Sequence, residues 1–461
     1  MDRFAIENLN KWRLSPDRKP LVLTGARQVG KTWLLKSFGK KAFSNLAYVA
    51  FDGNPALVDF FKGGYSDVKR LITGLQAATG VSIVPNETLI VFDEVQLCPE
   101  ALTSLKYWQE NAPEYAIVAA GSLLGLHLQE GTGYPVGKTD SMTLYPMSFG
   151  EFLLAVGEGG LWEILNSDDR TLYDSFSSRL TELLRLYFIV GGMPAALTAF
   201  LRNRNPVDAR DVQLGILSDY DRDFAKHVPK NQLARIRSLW RSLPVHLAKE
   251  DKRFVASHVS GVKQARDLRD PFIWLESAAL GYRVWNVTKP AIPLAAYQNH
   301  LFKFFGLDVG LLAAQSSIPV KALLEGNRLF TEFKGALVEQ YVQQELRASC
   351  AMNPYYWSRA DSQAEVDFLV ESDDGPVPIE AKAERNVKAK SLGVFREKFL
   401  PPIAVRTSLS PYSRTDGLVD IPLYALPTLK KELAKEHLVG ATAKIMQAVL
   451  EGDDTSSSPS W

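Results

Sequence analysis

A chain of 461 residues, 46% of them hydrophobic, has material for about two to four domains with sizeable cores. Its formal net charge of +1 excludes attraction of the whole chain to a polyanion, so any nucleic-acid site has to come from a local patch. The only cysteines, Cys98 and Cys350, exclude a disulfide scaffold and a cysteine-ligated zinc site and fit a reducing compartment. Charges at Asp2, Arg3 and Glu7 leave no apolar centre for a signal peptide, and no apolar run approaches about 18 residues. A cytoplasmic protein with no membrane partner is expected.

Residues 1–150 alternate strand-like and helix-like segments. Strands are predicted at Pro20–Thr24, Leu46–Phe51, Thr88–Phe92, Tyr115–Ala120 and Met142–Leu144. This alternation predicts a doubly wound parallel α/β sheet. The first strand runs into Gly25-Ala26-Arg27-Gln28-Val29-Gly30-Lys31-Thr32, a complete G-x-x-x-x-G-K-[ST] loop, and a helical stretch follows. Strand, loop and helix in that order let backbone N–H groups and a helix N-terminus hold a phosphate chain. All eight residues are candidate nucleotide contacts. Lys31 would reach the β- and γ-phosphates, and Thr32 would offer its hydroxyl to Mg²⁺.

The third strand ends in Asp93-Glu94. Asp93 can hold Mg²⁺ through water, and Glu94 can orient and activate an attacking water. The expected chemistry is ATP hydrolysis with ATP and Mg²⁺ as cofactors. Ser122, just past the fourth strand, is either a γ-phosphate sensor or a helix N-cap.

From 151 to 225 the pattern is helical, with Gly191-Gly192-Met193-Pro194 stopping one helix. This is a candidate lid over the nucleotide. Residues 226–300 then carry thirteen lysines and arginines against five acids, a local excess of +8. Three short helices, a strand at Tyr282–Val287 and a return segment at 295–301 outline a winged helix over 226–322. Such a fold can place a helix in a DNA groove, or serve protein packing with a solvated basic face.

Residues 323–430 hold a third constellation. A helix carries Glu339, and two strands carry Glu365-Val366-Asp367-Phe368 and Ile379-Glu380-Ala381-Lys382 on either side of Asp373-Asp374-Gly375. If Asp374-Gly375 form the hairpin loop, Asp367 lies opposite Lys382 with Glu380 on the diagonal, all on one face. This is the D…E-x-K arrangement of metal-dependent nucleases. Asp367, Glu380 and Glu339 are the candidate Mg²⁺ ligands, and Lys382 is the candidate for holding or activating water. Lys334, Lys388 and Lys390 suit cutting or mere binding of DNA. Residues 431–461 read as a final helix and a disordered tail.

In this order the motifs resemble a family of bacterial and archaeal AAA+ ATPases with a C-terminal domain of unknown function, built of a winged helix and a PD-(D/E)XK nuclease-like fold. The likeness runs from about residue 3 to 425. It rests on residues 25–32, Asp93-Glu94, Gly121-Ser122-Leu123-Leu124, Leu144-Tyr145-Pro146-Met147-Ser148-Phe149, Gly191-Gly192-Met193-Pro194, residues 304–312, Glu365-Val366-Asp367-Phe368 and Ile379-Glu380-Ala381-Lys382. The resemblance implies ATP-driven ring assembly, a hexamer being the form in view, and work on DNA such as remodelling or branched-DNA processing. One departure concerns the arginine finger. Lys138 stands where a trans-acting arginine is expected, and lysine lacks the bidentate fork; Arg222 is the other candidate. A rival reading is a nucleotide-dependent protein-interaction switch in defence or toxin control, with a catalytically silent nuclease-like domain.

Overall fold

A computed structural model describes residues 1–121, 135, 137–249, 252–262, 264–325, 331–359, 364–383 and 390–434. The chain divides into two compact units. The first comprises 1–157, 185–283 and 304–330, and the second 158–184, 284–303 and 331–461. No single helix among the described residues is long and apolar enough to cross a membrane; the bent pair Ser177–Val190 and Pro194–Asn203 meets that test of length and composition only when taken together.

The first unit is built on five strands, β1 Leu21–Thr24, β2 Asn45–Ala50, β3 Thr88–Asp93, β4 Ala116–Ala120 and β5 Asp140–Thr143. They lie in the order β2-β3-β4-β1-β5, and every pairing is parallel. β1, β3 and β4 are buried along their whole length. A parallel sheet covered by helices on both faces demands such continuous apolar strands. Phe51, Phe61, Phe92 and Trp108 anchor the core on one side. β5 begins two residues earlier than expected, because Lys19 N donates to Asp140 Oδ2 at 3.2 Å and Asp140 N donates to Pro20 O at 3.0 Å.

Helix Phe149–Val156 opens with a capping box, in which Ser148 and Glu151 satisfy each other's backbone N–H groups. Gly191-Gly192 ends the next long helix as expected, and Gly192 N donates to Asp308 Oδ2 at 2.6 Å. The basic segment departs from the expected three short helices. It forms one 18-residue helix, Lys230–Leu247, two 3₁₀ turns at Ala256–His258 and Ala265–Leu268, and helix Arg269–Ser277.

Strand β6 Gly281–Val287 falls where expected, but β7 spans Gln298–Gly306 rather than 295–301. Nor do the two strands stand apart as a wing. β6 pairs with β8 Tyr355–Ser358 through Asn286 and Tyr356. It thereby joins an eight-stranded sheet in the order β12-β13-β11-β10-β9-β8-β6-β7. The other members are β9 Glu365–Ser372, β10 Gly375–Ala381, β11 Ala404–Ser408, β12 Ser413–Thr415 and β13 Leu418–Pro422. Trp357, Leu369 and Phe395 lie in its core.

The β9–β10 register corrects the sequence expectation. Gly375 pairs with Ser372 and Ile379 with Phe368, so the loop is Asp373-Asp374. Gly375 takes φ +132° at the first paired position of β10, a conformation that favours glycine. The glycine therefore opens the strand instead of closing the turn. The slip is two residues, which preserves the faces. Asp367 now lies level with Glu380, and Lys382 level with Glu365.

Candidate nucleotide site and a C-terminal carboxylate cluster

The phosphate loop is shaped by its first glycine. Gly25 has φ +148°, and a Cβ there would lie 2.3 Å from the Leu144 carbonyl oxygen. That contact forbids any side chain. From the end of the loop runs helix Lys31–Ala42, with Gly30 in the left-handed region at its start. Lys31 is buried, and its Nζ donates to Gly25 O at 3.0 Å and Ala26 O at 2.9 Å. The ammonium is thus folded onto the loop's own carbonyls.

Thr32 Oγ1 donates to Asp93 Oδ2 at 2.7 Å. Tyr48 OH, from β2, donates to the same oxygen at 2.6 Å. Asp93 Oδ1 accepts from Glu94 N at 3.0 Å. Glu94 is left-handed, φ 53°, and accepts a short hydrogen bond from Gln96 Nε2. Thr32, Asp93 and Glu94 therefore meet at the carboxyl end of the sheet beside the loop. A hydroxyl and a carboxylate in contact fit Mg²⁺, which keeps several waters and substrate oxygens and takes one or two protein ligands. When bound, the ion would neutralise charge on the β- and γ-phosphates.

Two sets of contacts had no reading in the sequence. Arg3, 6% exposed, donates from Nε to Glu151 Oε1 at 3.0 Å, from Nη1 to Val29 O at 2.9 Å and from Nη2 to Tyr145 O at 2.7 Å. It ties the loop to the Leu144–Phe149 segment. Helix Pro206–His227 holds the other side. Asp223 pairs with Arg27, Asp219 Oδ2 accepts from Gln28 Nε2 at 3.0 Å, and Tyr220 OH donates to Arg27 O at 3.0 Å. Tyr48 could have been suspected only from its place on the strand beside Asp93. Of the finger candidates, Lys138 pairs with Glu110 at 3.0 Å and Arg222 with Asp219. Ser122 lies outside the described residues.

Burial lowers the Lys31 pKa to about 8, against the opposing pull of Glu94 and Asp93. A bound polyphosphate stabilises the charged form and raises the value again. Below pH 8 the lysine is already charged and affinity for ATP is flat. Above pH 8, binding must take up a proton, so affinity falls. Between pH 7 and pH 9 the ATP dissociation constant should rise by about tenfold. Calorimetry in buffers of different ionisation enthalpy checks this, with net proton uptake on binding at the higher pH. A constant affinity across that range would rule out the linkage.

In the second unit the four predicted residues come together. Glu339, on helix Thr331–Ala348, Asp367 on β9 and Glu380 on β10 are 5%, 8% and 3% exposed. Lys382 Nζ lies 2.5 Å from Glu380 Oε1 and 4.0 Å from Asp367 Oδ2. Ala381 N donates to Asp367 Oδ2 at 2.9 Å. Burial and the neighbouring Asp367 charge push the Glu380 carboxyl up to about 8, against the pull of Lys382.

A fifth residue stands among them. Lys303, on β7, is fully buried, and its Nζ lies 2.6 Å from Glu365 Oε1, 3.4 Å from Glu339 Oε2 and 3.9 Å from Asp367 Oδ1. Burial favours its neutral form, but Glu339, Glu365 and Asp367 outweigh it and hold its pKa well above the usual lysine value. An ammonium among these carboxylates is a poor fit to a divalent ion. Among the described residues no group of three or more His, Cys, Asp or Glu side chains is arranged to hold a metal. The expected ligand trio of Glu339, Asp367 and Glu380 is gathered, but the donor set does not fit Mg²⁺. The available signal was a lysine inside the apolar run Phe302-Lys303-Phe304-Phe305, where a charge requires a partner. Lys334 is half-buried, Lys390 is exposed, and Lys388 lies outside the described residues.

Residues 17–153 match the AAA domain family. The N-terminal part of this chain is therefore similar to an AAA domain, with the phosphate loop and Asp93-Glu94 inside the matched stretch. Beyond that stretch, residues 181–322 and 334–426 match two domains of unknown function, DUF8612 and DUF4143. The chain is 26% identical over 372 residues to the uncharacterized protein Rv2008c of Mycobacterium tuberculosis and to Mb2031c of Mycobacterium bovis, covering 79% of this chain and 70% of each relative. Among solved structures it is similar to a Walker-type ATPase of Pyrococcus abyssi at 15% identity and a TM-score of 0.44, covering 68% of this chain and 95% of that one. It is also similar to the ORC2 protein of Aeropyrum pernix at 14% identity and a TM-score of 0.34, covering 70% and 92%.

Proposed function

We propose that the protein hydrolyses ATP with Mg²⁺ and uses the cycle to act on DNA, remodelling it or processing branched forms. The observation that carries the ATPase reading is the meeting of Lys31, Thr32, Asp93 and Glu94 at one end of the parallel sheet. Lys31 leaves the loop carbonyls for the β- and γ-phosphates, the loop amides hold the chain, and Thr32 with Asp93 holds the ion. Glu94 takes the proton of the attacking water. Residues 151–225 act as the lid, and copies assemble into a ring in which Arg222 or Lys138 faces a neighbour's nucleotide. ATPase activity measured alone and with single-stranded, duplex and four-way-junction DNA tests the reading. Turnover indifferent to every DNA form would reject the DNA part and leave the ATPase part standing.

The DNA reading rests on the basic segment 226–300. In the folded chain part of its charge is spent internally. Arg237 and Arg241 pair with Asp221, Arg235 with Asp267, and Arg283 with Glu276. Lys226, Lys230, Arg266 and Arg269 remain exposed, with no carboxylate partner among the described residues. Gln232 Nε2 donates to Asp270 Oδ2 at 2.8 Å, which draws the starts of helices Lys230–Leu247 and Arg269–Ser277 together. Lys230 and Arg269 stand at those two helix starts, and Arg266 lies in the 3₁₀ turn that precedes the second. We expect Arg266→Glu with Arg269→Glu to weaken duplex binding by about tenfold or more at low salt and to flatten the dependence of affinity on salt. An unchanged dissociation constant and salt slope in the folded double variant would reject this surface.

A second reading, a nucleotide-dependent interaction switch with a silent nuclease-like domain, is favoured by one observation: Lys303 among the carboxylates.

A further inference from the structure

We propose that Lys303 is a tethered cation standing where a D…E-x-K centre otherwise takes a divalent metal ion, so that the C-terminal centre is complete without metal and does not cut DNA. The proposal rests on reading residues 323–430 as a nuclease-like fold.

The geometry is that of a built-in counter-ion. Lys303 Nζ has no contact with water and lies within 4.0 Å of carboxylates from two different elements, Glu339 on its helix and Glu365 and Asp367 on β9. The ammonium also lies 5.1 Å from the centre of the Tyr356 ring, whose face favours a cation. A hard divalent ion needs about six oxygens at about 2.0–2.5 Å, with the carboxylates turned towards it. Here Glu339, Glu365 and Asp367 are turned towards a nitrogen instead. Lys382 claims Glu380 Oε1 at 2.5 Å in the same way. Glu380 Oε2 is buried without a hydrogen-bond partner.

The chain covers the cost of this arrangement within itself. Four buried or half-buried carboxylates at one sheet face would repel one another strongly unless cations lay between them. A metal could supply that charge only when present. Lys303 supplies it permanently, from β7 at the end of the same sheet, with β8 and β6 between it and β9. The consequence for chemistry follows directly. Phosphodiester hydrolysis in such a centre relies on an ion to polarise the phosphate and to lower the pKa of the attacking water. A lysine ammonium out of contact with water can do neither. What remains at the edge is Lys382, 27% exposed along its side chain, which can contact a phosphate without cleaving it.

The test uses the full chain without nucleotide, carrying Asp93→Asn so that the nucleotide site adds no metal binding. Mn²⁺ is the probe, followed by electron paramagnetic resonance and by melting temperature. In this background the centre should bind no Mn²⁺ up to about 1 mM, and neither Mn²⁺ nor chelator should move the melting temperature. Lys303→Met removes the cation and keeps an unbranched side chain one atom shorter. It should melt about 10 °C lower in metal-free buffer and recover at least half of that loss on binding one Mn²⁺. Adding Asp367→Asn should abolish the new Mn²⁺ site. Lys303→Met with Glu365→Gln, which removes one charge of each sign, should recover melting temperature without metal, and failure to recover would count against the pairing. If Lys303→Met does not fold, the background chain still decides. Mn²⁺ binding there, or Mg²⁺-dependent nicking of DNA by the wild-type chain, either one lost in Asp367→Asn, overturns the proposal. Failure of the DNA reading would show instead as ATPase activity indifferent to DNA, with these metal results unchanged.

Discussion

Glu94→Gln should bind ATP as tightly as the wild type and hydrolyse it about 10²–10⁴ times more slowly. In the proposed site binding falls to other groups, the loop amides, Lys31 and the Thr32–Asp93 pair. Glutamine has the same shape as glutamate, so the left-handed turn at residue 94 and the contact with Gln96 persist. What it loses is the ability to accept the proton of water. The expected signature is therefore a split between an unchanged dissociation constant and a depressed single-turnover rate. Asp93→Ala should behave differently, because it removes the acceptor shared by Thr32 and Tyr48 and weakens Mg²⁺-dependent binding as well. A single-turnover rate for Glu94→Gln within about threefold of wild type would remove Glu94 from the chemistry, since a general base is worth far more than that.

Arg3→Met should destabilise the first unit by about 3–5 kcal/mol, a large effect for a residue so near the start of the chain. Arg3 and Glu151 are 6% and 4% exposed, and their ion pair is buried. Losing the guanidinium leaves the Glu151 carboxylate out of water. Its remaining partners are backbone groups, Phe4 N at 2.7 Å and Ser148 N at 3.0 Å. The Val29 and Tyr145 carbonyls lose a charged donor at the same time. Because Val29 belongs to the phosphate loop, ATP affinity should fall along with stability. Denaturant unfolding and nucleotide titration of the same variant measure both. Pairing Arg3→Met with Glu151→Leu should recover most of the stability, since a buried ion pair replaced on both sides costs little. A loss below about 1 kcal/mol in the single variant would show that water reaches Glu151 and that the pair is not buried in solution.

Much of the nucleotide site was legible without a structure, because its determinants are local. The glycine pattern of residues 25–32, an apolar strand before it and a helix after it specify one backbone path. Asp93 and Glu94 follow a run of buried apolar residues, and the end of such a strand is where the loop lies in a doubly wound sheet. All five strands of that sheet were placed within about two residues, the usual uncertainty of an element boundary. The C-terminal face was legible to the same depth. Period-two alternation puts Glu365, Asp367, Glu380 and Lys382 on one side whichever even register the hairpin adopts.

That same symmetry marks where the sequence runs out. A slip of two residues leaves every side chain on its face, so alternation cannot choose between Asp367 opposite Lys382 and Asp367 level with Glu380. The choice fell to Gly375, whose positive φ suits the opening of β10. Long-range partners were equally hidden. Lys303 meets Glu365 across 62 positions of sequence and Arg3 meets Glu151 across 148, pairings that no local spacing encodes. The strands expected to form a free wing took their place in the second sheet because β6 pairs with β8, a decision made by edges that meet only after folding. Composition and motif determined that this chain has a phosphate loop, two carboxylates beside it and an acidic strand face. Only the tertiary structure decided which cation sits among the acids, because burial makes every charge find a partner and the fold alone determines which partners are within reach.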